Sequence, residues 1–231
     1  MAGRGLICVS VAAEHGAAVL AAVSPVVELV DVIEIRMDAL CDPDLERCIA
    51  ALPKPVLVTN RPTWEGGQYA GSETERIDVL CRAVQCGARY VDVELAAAPE
   101  LRAKLLLAAK QCGAQVIVSR HDFQGTPSAA QLQSTLAEMQ ASGADIGKIV
   151  VTAASPADAL RILTLQTEAM AADFPLCAFA MGAAGTITRL ATLHLGGFMT
   201  YAALSAELAT APGQLAVHNL RRLLALLEHQ P

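Results

Sequence analysis

The chain has 231 residues, of which 54% are hydrophobic and 17% charged, and this composition predicts a packed globular protein. Aromatic residues make up only 3%, and the net charge is −6, so we expect no nucleic-acid partner. The seven cysteines are odd in number and include no C-x-x-C pair, which disfavours a zinc site and a complete disulfide framework.

The chain opens with an apolar run over residues 6–13 that superficially resembles a secretory leader. Glu14 and His15 end this run, and its length is that of one β-strand. No stretch of the sequence is long and apolar enough to span a bilayer. The sequence therefore predicts a cytoplasmic protein with free thiols and no membrane partner.

Eight short apolar runs follow one another along the chain as strand candidates. They span residues 6–11, 31–36, 55–60, 89–95, 115–121, 146–152, 175–181 and 198–203. Between them lie signals for helix starts: Ser72 and Glu75 have capping-box spacing, and Ser155-Pro156 puts proline at the first helical position. Asp42-Pro43 and Thr126-Pro127 predict starts of the same kind.

Three glycines predict a repeated strand–helix unit. Gly87, Gly113 and Gly143 each suit the left-handed position that ends a helix, and each is followed by an apolar run. Such repeats predict a parallel sheet with crossover helices. We therefore expect an α/β fold, a single-domain (β/α)8 TIM barrel over residues 1–231. The alternative, an open doubly wound sheet, lacks a glycine-rich turn after the first strand.

Polar residues stand two apart late in several of these strands, where a buried strand would be apolar throughout. The pairs are Glu34 and Arg36, Thr59 and Arg61, Asp92 and Glu94, and Ser119 and His121. Residues two apart share one face of a strand. They could form an interior ion-pair network that only fixes register. Their position late in the strands instead favours a catalytic cavity, since active sites of these barrels lie at the carboxyl ends of the strands.

Lys148 and His121 are the candidate reactive groups. Lys148 alone among the four lysines lies inside an apolar strand run, where desolvation favours a neutral amine able to attack a carbonyl. A structural lysine paired with Asp92 or Glu94 is the other interpretation. His121 alone among the histidines ends a strand, where it can move a proton. An imine on Lys148 would support dehydration or an aldol reaction without a metal or organic cofactor.

Six segments together resemble the type I 3-dehydroquinate dehydratases of the shikimate pathway. They are Glu34-Ile35-Arg36-Met37-Asp38, Arg61-Pro62-Thr63-Trp64-Glu65-Gly66-Gly67, Ser119-Arg120-His121-Asp122-Phe123, Gly147-Lys148-Ile149, Met181 through Arg189-Leu190, and Ala211-Pro212-Gly213-Gln214. The resemblance runs almost end to end. It implies a (β/α)8 barrel and a lyase that dehydrates the small molecule 3-dehydroquinate to 3-dehydroshikimate.

The resemblance also implies a role for each site residue. Lys148 would form the imine (Schiff base), His121 would act as general acid and base, and Glu65 would orient the histidine. The implied substrate-binding residues are Glu34, Arg36, Arg61, Met181, Arg189, Tyr201, Thr210 and Gln214, of which Arg189 and Gln214 would hold the substrate carboxylate. Asp92 and Glu94 would be supporting polar groups near Lys148.

Residues 203–214 resemble the mobile family loop that closes over the substrate. Thr210 stands where the family often has serine, so it keeps a hydroxyl but adds bulk to the lid. Arg120 precedes the histidine, and its strand parity points it away from the cavity. The family also suggests a homodimer.

Two other functions fit the residues less well. A class I lysine-imine aldolase would require a phosphate site, which Gly182, Gly185, Gly196 and Gly197 could furnish. The Arg189 and Gln214 match favours a carboxylate instead. A catalytically silent, metabolite-binding barrel would have no need for both a strand lysine and a strand-end histidine.

Overall fold

Eight strands and eight α-helices alternate along the chain in a computed structural model that describes residues 4–41 and 44–228. The strands are β1 (Leu6–Val11), β2 (Val32–Arg36), β3 (Val56–Thr59), β4 (Tyr90–Glu94), β5 (Gln115–His121), β6 (Ile146–Thr152), β7 (Leu176–Met181) and β8 (Met199–Ala202). The helices are α1 (Gly16–Val23), α2 (Leu45–Ala50), α3 (Glu73–Gln85), α4 (Pro99–Cys112), α5 (Ala129–Ala141), α6 (Pro156–Ala171), α7 (Thr186–His194) and α8 (Val217–Glu228).

All the strand pairings are parallel, and the sheet closes into a nearly complete ring. The strand order is β7-β6-β5-β4-β3-β2-β1-β8, so every strand except β8 lies beside its neighbour in sequence. The backbone N–H of Phe198, just before β8, donates to the carbonyl of Leu176 in β7 at 2.8 Å, which brings the two ends of the sheet together. The predicted (β/α)8 barrel is confirmed, and a doubly wound sheet is excluded because its strand order would reverse direction at a switch point.

Most of the sequence signals for helix starts and ends lie at the helix boundaries of the structure. Gly87, Gly113 and Gly143 all have positive φ, of 96°, 68° and 80°, just beyond helices α3, α4 and α5. Ser72 caps α3 by accepting a hydrogen bond from the backbone N–H of Glu75. Ser155 caps α6 in a complete capping box, with proline in the first turn.

The predicted helix start at Thr126-Pro127 is wrong. Helix α5 begins two residues later, at Ala129, because Ser128 forms a complete capping box with Gln131. The hydroxyl of Thr126 instead donates to the carbonyl of Thr152 at 2.9 Å, which ties the loop to the end of β6. The predicted start at Asp42-Pro43 lies outside the described residues.

The apolar core has two parts that divide at the wall of strands. Helix residues such as Ile77, Leu80 and Ile162 pack against the outside of the barrel. Inside the barrel, an apolar cluster that includes Leu57 and Ile117 closes the floor. The polar strand residues lie above this floor. In the described part of the chain no helix has the length and apolar character that crossing a membrane requires.

Candidate active site

A cavity of about 90 Å³ opens where the strands end, and side chains from β1, β2, β3, β5, β6, β7 and β8 line it. All eleven residues to which the family resemblance assigned a catalytic or substrate-binding role are among those lining it: Glu34, Arg36, Arg61, Glu65, His121, Lys148, Met181, Arg189, Tyr201, Thr210 and Gln214. The structure therefore brings the whole predicted set together, since the carboxyl ends of parallel strands meet at one end of a barrel.

Lys148 reaches this cavity from the middle of β6 and is only 5% exposed. Its Nζ lies 3.1 Å from Oδ2 of Asp92 and 4.0 Å from the centre of the Tyr201 ring. Burial alone would raise the pKa of Asp92, but the charges of Arg61 and Lys148 hold it well below its usual range. The ionised carboxylate and the aromatic face both stabilise positive charge at Nζ, whether on an ammonium or on an iminium.

Arg61 connects the acidic residues beneath the cavity. Its Nη1 lies 2.5 Å from Glu94 Oε1 and donates to Ser119 Oγ at 2.7 Å, while its Nη2 lies 2.8 Å from Asp92 Oδ1. Burial alone would lower the pKa of Arg61, but Asp92 and Glu94 raise it. The guanidinium is therefore a permanent charge that pairs with two buried carboxylates at once.

His121 and Glu65 form a second pair, and Glu65 Oε2 also accepts a hydrogen bond from Arg61 Nη1 at 3.5 Å. Glu65 Oε1 accepts a hydrogen bond from the backbone N–H of His121 at 2.9 Å, and its Oε2 lies 3.9 Å from His121 Nδ1. Burial, together with the charges of Arg61 and Lys148, lowers the pKa of His121 well below its usual value. Burial raises the pKa of Glu65 to about 7. The imidazole is therefore neutral near pH 7 and can accept a proton.

Arg189 is a buried cation for which the described residues provide no acidic partner. It is 2% exposed, its Nη2 donates to the carbonyl of Pro212 at 3.1 Å, and its guanidinium lies 4.8 Å from the centre of the Phe179 ring. Burial lowers the pKa of Arg189 to about 10. A buried, unpaired guanidinium beside a cavity is suited to a ligand that carries an anion.

Gln214 and Thr210 are joined across the loop that follows β8. The Oε1 atom of Gln214 accepts hydrogen bonds from the backbone N–H and the hydroxyl of Thr210, at 2.8 and 3.2 Å. With its carbonyl oxygen engaged, the side chain of Gln214 offers its amide nitrogen as a donor. Thr210 thus orients the side chain of Gln214. This contact needs a hydroxyl, and threonine supplies one as the family's serine would.

The polar wall of the cavity is held by neighbouring strand ends. Thr59 donates to Glu34 at 2.7 Å. Arg36 donates to both oxygens of Asp38, at 2.8 and 2.6 Å, and Asp38 also accepts from the backbone N–H of Arg61 and of Gln68. Asp38 thereby links the end of β2 to the loop that carries Glu65, a function that sequence reasoning did not assign to it.

Asp92, Glu94 and Arg120 are polar strand residues near Lys148 and His121, and they differ in what they contact. Asp92 contacts Lys148, whereas Glu94 pairs with Arg61 and Arg76, so only Asp92 is the counter-ion of the lysine. Arg120 is exposed and does not line the cavity, as its strand parity predicted.

Several residues that line the cavity were missed by sequence reasoning. They are Ser10, Gly66, Phe123, Val150, Phe179, Ala211 and Pro212, whereas Thr59 belongs to a strand pair that the sequence expected to face the cavity. Ser10 was detectable, because it is a polar residue late in β1 and its register partner is Glu34. Phe123 stacks on His121, with ring centres 6.2 Å apart. Phe179 and Val150 carry no such signal, since an apolar residue in a barrel strand is ordinary.

The chain matches the family model described as type I 3-dehydroquinase over residues 7–231. It belongs to this family. A 3-dehydroquinate dehydratase of Desulfotalea psychrophila is 40% identical over 195 residues, which cover 84% of this chain and 86% of that protein. A bifunctional 3-dehydroquinate dehydratase/shikimate dehydrogenase of Arabidopsis thaliana is 39% identical over 229 residues, or 94% of this chain and 37% of that protein.

A solved structure agrees with the barrel over nearly its whole length. The type I 3-dehydroquinate dehydratase of Clostridium difficile, solved with covalently modified comenic acid, superposes with a TM-score of 0.89. It is 28% identical in sequence, and the match covers 97% of this chain and 92% of that one. The family resemblance expected from the six sequence segments is therefore confirmed.

Proposed function

We propose that this type I 3-dehydroquinase dehydrates 3-dehydroquinate to 3-dehydroshikimate through an imine on Lys148, with His121 moving the proton. The observation that carries the proposal is the position of Lys148 Nζ, buried in a cavity 3.1 Å from Asp92, beside a histidine that burial keeps neutral. Family membership supports the activity. The side-chain geometry supports the mechanism.

The reaction balances with the protein's own groups. Lys148 gives its ammonium proton to the neutral His121, and the free amine attacks the ring ketone. That proton returns to the carbinolamine hydroxyl, which leaves as water and gives an iminium whose positive charge Asp92 stabilises. His121 then removes a proton from the adjacent carbon to give an enamine. The enamine expels the β-hydroxyl, which takes the proton back from His121 and leaves as water. Hydrolysis of the conjugated iminium releases the product and restores the lysine, so no cofactor is needed.

The remaining residues would hold the substrate in the orientation that this chemistry requires. Arg189 supplies the charge, and Gln214 a donor, for the substrate carboxylate. Glu65 orients His121 by accepting a hydrogen bond from the backbone N–H of the histidine. Polar contacts for the ring hydroxyls and the lysine come from Glu34, Arg36 and Arg61, and the apolar and lid contacts are Met181, Tyr201 and Thr210.

Residues 203–214 would act as a lid on a single catalytic domain spanning residues 1–231. In the structure Arg189 contacts this segment at Pro212, so the proposed carboxylate ligand also touches the lid. Substrate binding can then be coupled to closure, which would exclude water from the iminium. The cytoplasmic location that the sequence predicts remains part of this proposal. The family resemblance further suggests a homodimer, which analytical ultracentrifugation would test.

Borohydride trapping tests the mechanism directly. The protein is mixed with 3-dehydroquinate, reduced with borohydride, and analysed by intact mass and peptide mapping, with Lys148→Ala and the exposed-site variant Lys110→Ala as a matched pair. We expect a stable adduct on the peptide containing Lys148 in the wild type and in Lys110→Ala only. Dehydration without an adduct would disprove the lysine mechanism but keep the reaction. Neither product nor adduct from folded protein would turn attention to aldolase substrates.

A further inference from the structure

Arg76 is a fully buried arginine on α3, outside the ring of strands, and no step of the proposed reaction uses it. Its Nε and Nη2 donate to the two carboxylate oxygens of Glu73, at 3.0 and 2.8 Å. Its Nη1 lies 2.6 Å from Glu94 Oε2 and donates to the carbonyl of Asn60 at 3.1 Å. The guanidinium thus contacts both a strand carboxylate and the backbone next to Arg61.

These contacts continue toward the cavity as a line of alternating charges. Glu94 Oε1 lies 2.5 Å from Arg61 Nη1, and Arg61 Nη2 lies 2.8 Å from Asp92 Oδ1. Asp92 Oδ2 in turn lies 3.1 Å from Lys148 Nζ. In order, the line comprises Glu73, Arg76, Glu94, Arg61, Asp92 and Lys148. Glu73 is its solvent end, with a side chain 35% exposed.

We propose that Arg76 is a positioning residue that acts on Lys148 and His121 through Glu94 and Arg61. The inference rests on the imine mechanism proposed above. Arg76 holds Arg61 in two ways, through the carbonyl of Asn60 and through its ion pair with Glu94, whose Oε2 makes no hydrogen bond among the described residues. The guanidinium of Arg61 can then keep its contacts with both Glu94 and Asp92.

Loss of Arg76 would change the charge balance at the centre of this line. Burial raises the pKa of Glu94, and the charges of Arg61 and Arg76 oppose that rise. Without Arg76, Glu94 has two ways to respond. If it stays ionised, it draws the guanidinium of Arg61 away from Asp92. If it takes up a proton, the charge of Arg61 is less neutralised, and positive charge on the nearby Lys148 and His121 becomes less favourable.

The test compares Arg76→Met and Arg76→Lys with Arg82→Met, which removes an exposed arginine from the same helix. We expect Arg76→Met to lower kcat about 100-fold, because small displacements of reacting groups have effects of that size. KM for 3-dehydroquinate should change less than about twofold, since the carboxylate contacts remain. The acid limb of the kcat profile should move by about half a pH unit, to lower pH if Glu94 takes up a proton and to higher pH if Glu94 stays ionised.

Rescue and folding controls separate positioning from a purely structural role. Arg76→Lys keeps one positive charge and should recover part of kcat, while Arg82→Met should match the wild type. If Arg76→Met does not fold, Glu73→Gln serves instead, because it loosens Arg76 from the partly exposed end of the line. We expect Glu73→Gln to lower kcat, as Arg76→Met does, and to leave KM unchanged.

Two outcomes overturn the inference, and they differ from failure of the proposed function. If the folded Arg76 and Glu73 variants keep the wild-type kcat and pH profile and lose only thermal stability, Arg76 is structural. A rise in KM at constant kcat would overturn it as well. If the wild type itself gives neither product nor borohydride adduct, the proposed function fails and the inference falls with it.

Discussion

Burial lowers the pKa of both His121 and Arg189, with a different consequence for each residue. It keeps the histidine neutral, as a base must be, and it leaves the arginine charged at neutral pH but without a protein counter-ion among the described residues. Both effects come from desolvation, which disfavours the charged form of any group. At the scale of single residues, the cavity therefore contains a neutral imidazole that can accept a proton and a guanidinium that can bind an anion.

The lowered pKa of His121 predicts the pH dependence of turnover. A base with a usual value of 6.5 would lose activity as soon as the pH falls below that value. Because burial lowers the pKa, the neutral imidazole persists below pH 6.5, and the acid limb of the kcat/KM profile should lie below that pH. Initial rates from about pH 4.5 to 9 would check this, with His121→Asn as the control lacking the base. A wild-type acid limb above pH 6.5 would contradict the assignment.

Arg189→Met should separate binding from stability. It removes the only charged donor assigned to the substrate carboxylate, so KM should rise about 100-fold, since a hydrogen bond to a charged group contributes about 1.5–3 kcal/mol. The free energy of unfolding should stay constant or increase, because an unpaired buried cation is lost while the apolar stem is kept. Steady-state kinetics and urea unfolding test both parts. Arg120→Met, at an exposed position, is the matched control. An unchanged KM would contradict the carboxylate assignment.

At the scale of elements, the loop between β3 and α3 is as important as the strands. It returns on itself through paired backbone hydrogen bonds between Arg61, Thr63 and Tyr69, and Gly67 donates to the carbonyl of Pro62 at 2.9 Å. A Cβ at Gly67 would lie 2.0 Å from the carbonyl oxygen of Arg61, which is backbone and cannot rotate away. The loop needs glycine here in order to hold Glu65 near His121.

Gly67→Ala should therefore impair catalysis without touching a catalytic residue. The loop must move, Glu65 is displaced from the backbone N–H of His121, and kcat should fall about 100-fold. Gly125→Ala is the matched control, because a Cβ there meets no atom within 4 Å in the loop after β5. Kinetics of the two variants, with circular dichroism to verify folding, would measure the difference. Equal activity of both variants would refute the role assigned to this loop.

At the scale of the whole molecule, the ionised centre of the barrel makes stability depend on pH. The pKa of Asp92 is lowered because Arg61 and Lys148 outweigh its burial, so its contribution is present above its unfolded value of 3.8 and lost as the pH falls. The lowered pKa of His121 acts in the same direction below pH 6.5. The raised pKa of Glu65 acts oppositely, and its contribution is lost as the pH rises through about 7.

Because His121 and Glu65 oppose each other between pH 6.5 and 4.5, we expect the free energy of unfolding to change little there. It should fall most steeply below pH 3.8, toward about pH 3. Urea unfolding at several pH values would measure the slope. In Asp92→Asn, a less stable protein overall, the slope below pH 3.8 should become smaller, and Asp38, whose pKa its contacts with Arg36 lower, should account for part of what remains. A wild-type stability that is constant over the whole of this range would show that Asp92 is not held ionised by its neighbours.

The amino-acid sequence by itself determined the order of the strands and placed each strand boundary to within one residue, because apolar runs and glycines with positive φ act over a few residues. Polar side chains late in buried strands are costly to bury unless they pair with one another or bind a ligand, and this pattern indicated five of the eleven assigned lining residues: Glu34, Arg36, Arg61, His121 and Lys148. The other six were implied only by the family resemblance. Its error at Thr126-Pro127 was local: a following serine formed the better cap.

Only the tertiary structure decided which charges meet. Asp92 and not Glu94 contacts Lys148, Glu94 pairs with an arginine from a helix outside the barrel, and Arg189 has no acidic partner among the described residues. Lys148 and Asp92 are 56 residues apart in sequence, and their distance is set by the closing of the ring. The pKa shifts follow from those distances and from burial, neither of which a linear pattern contains.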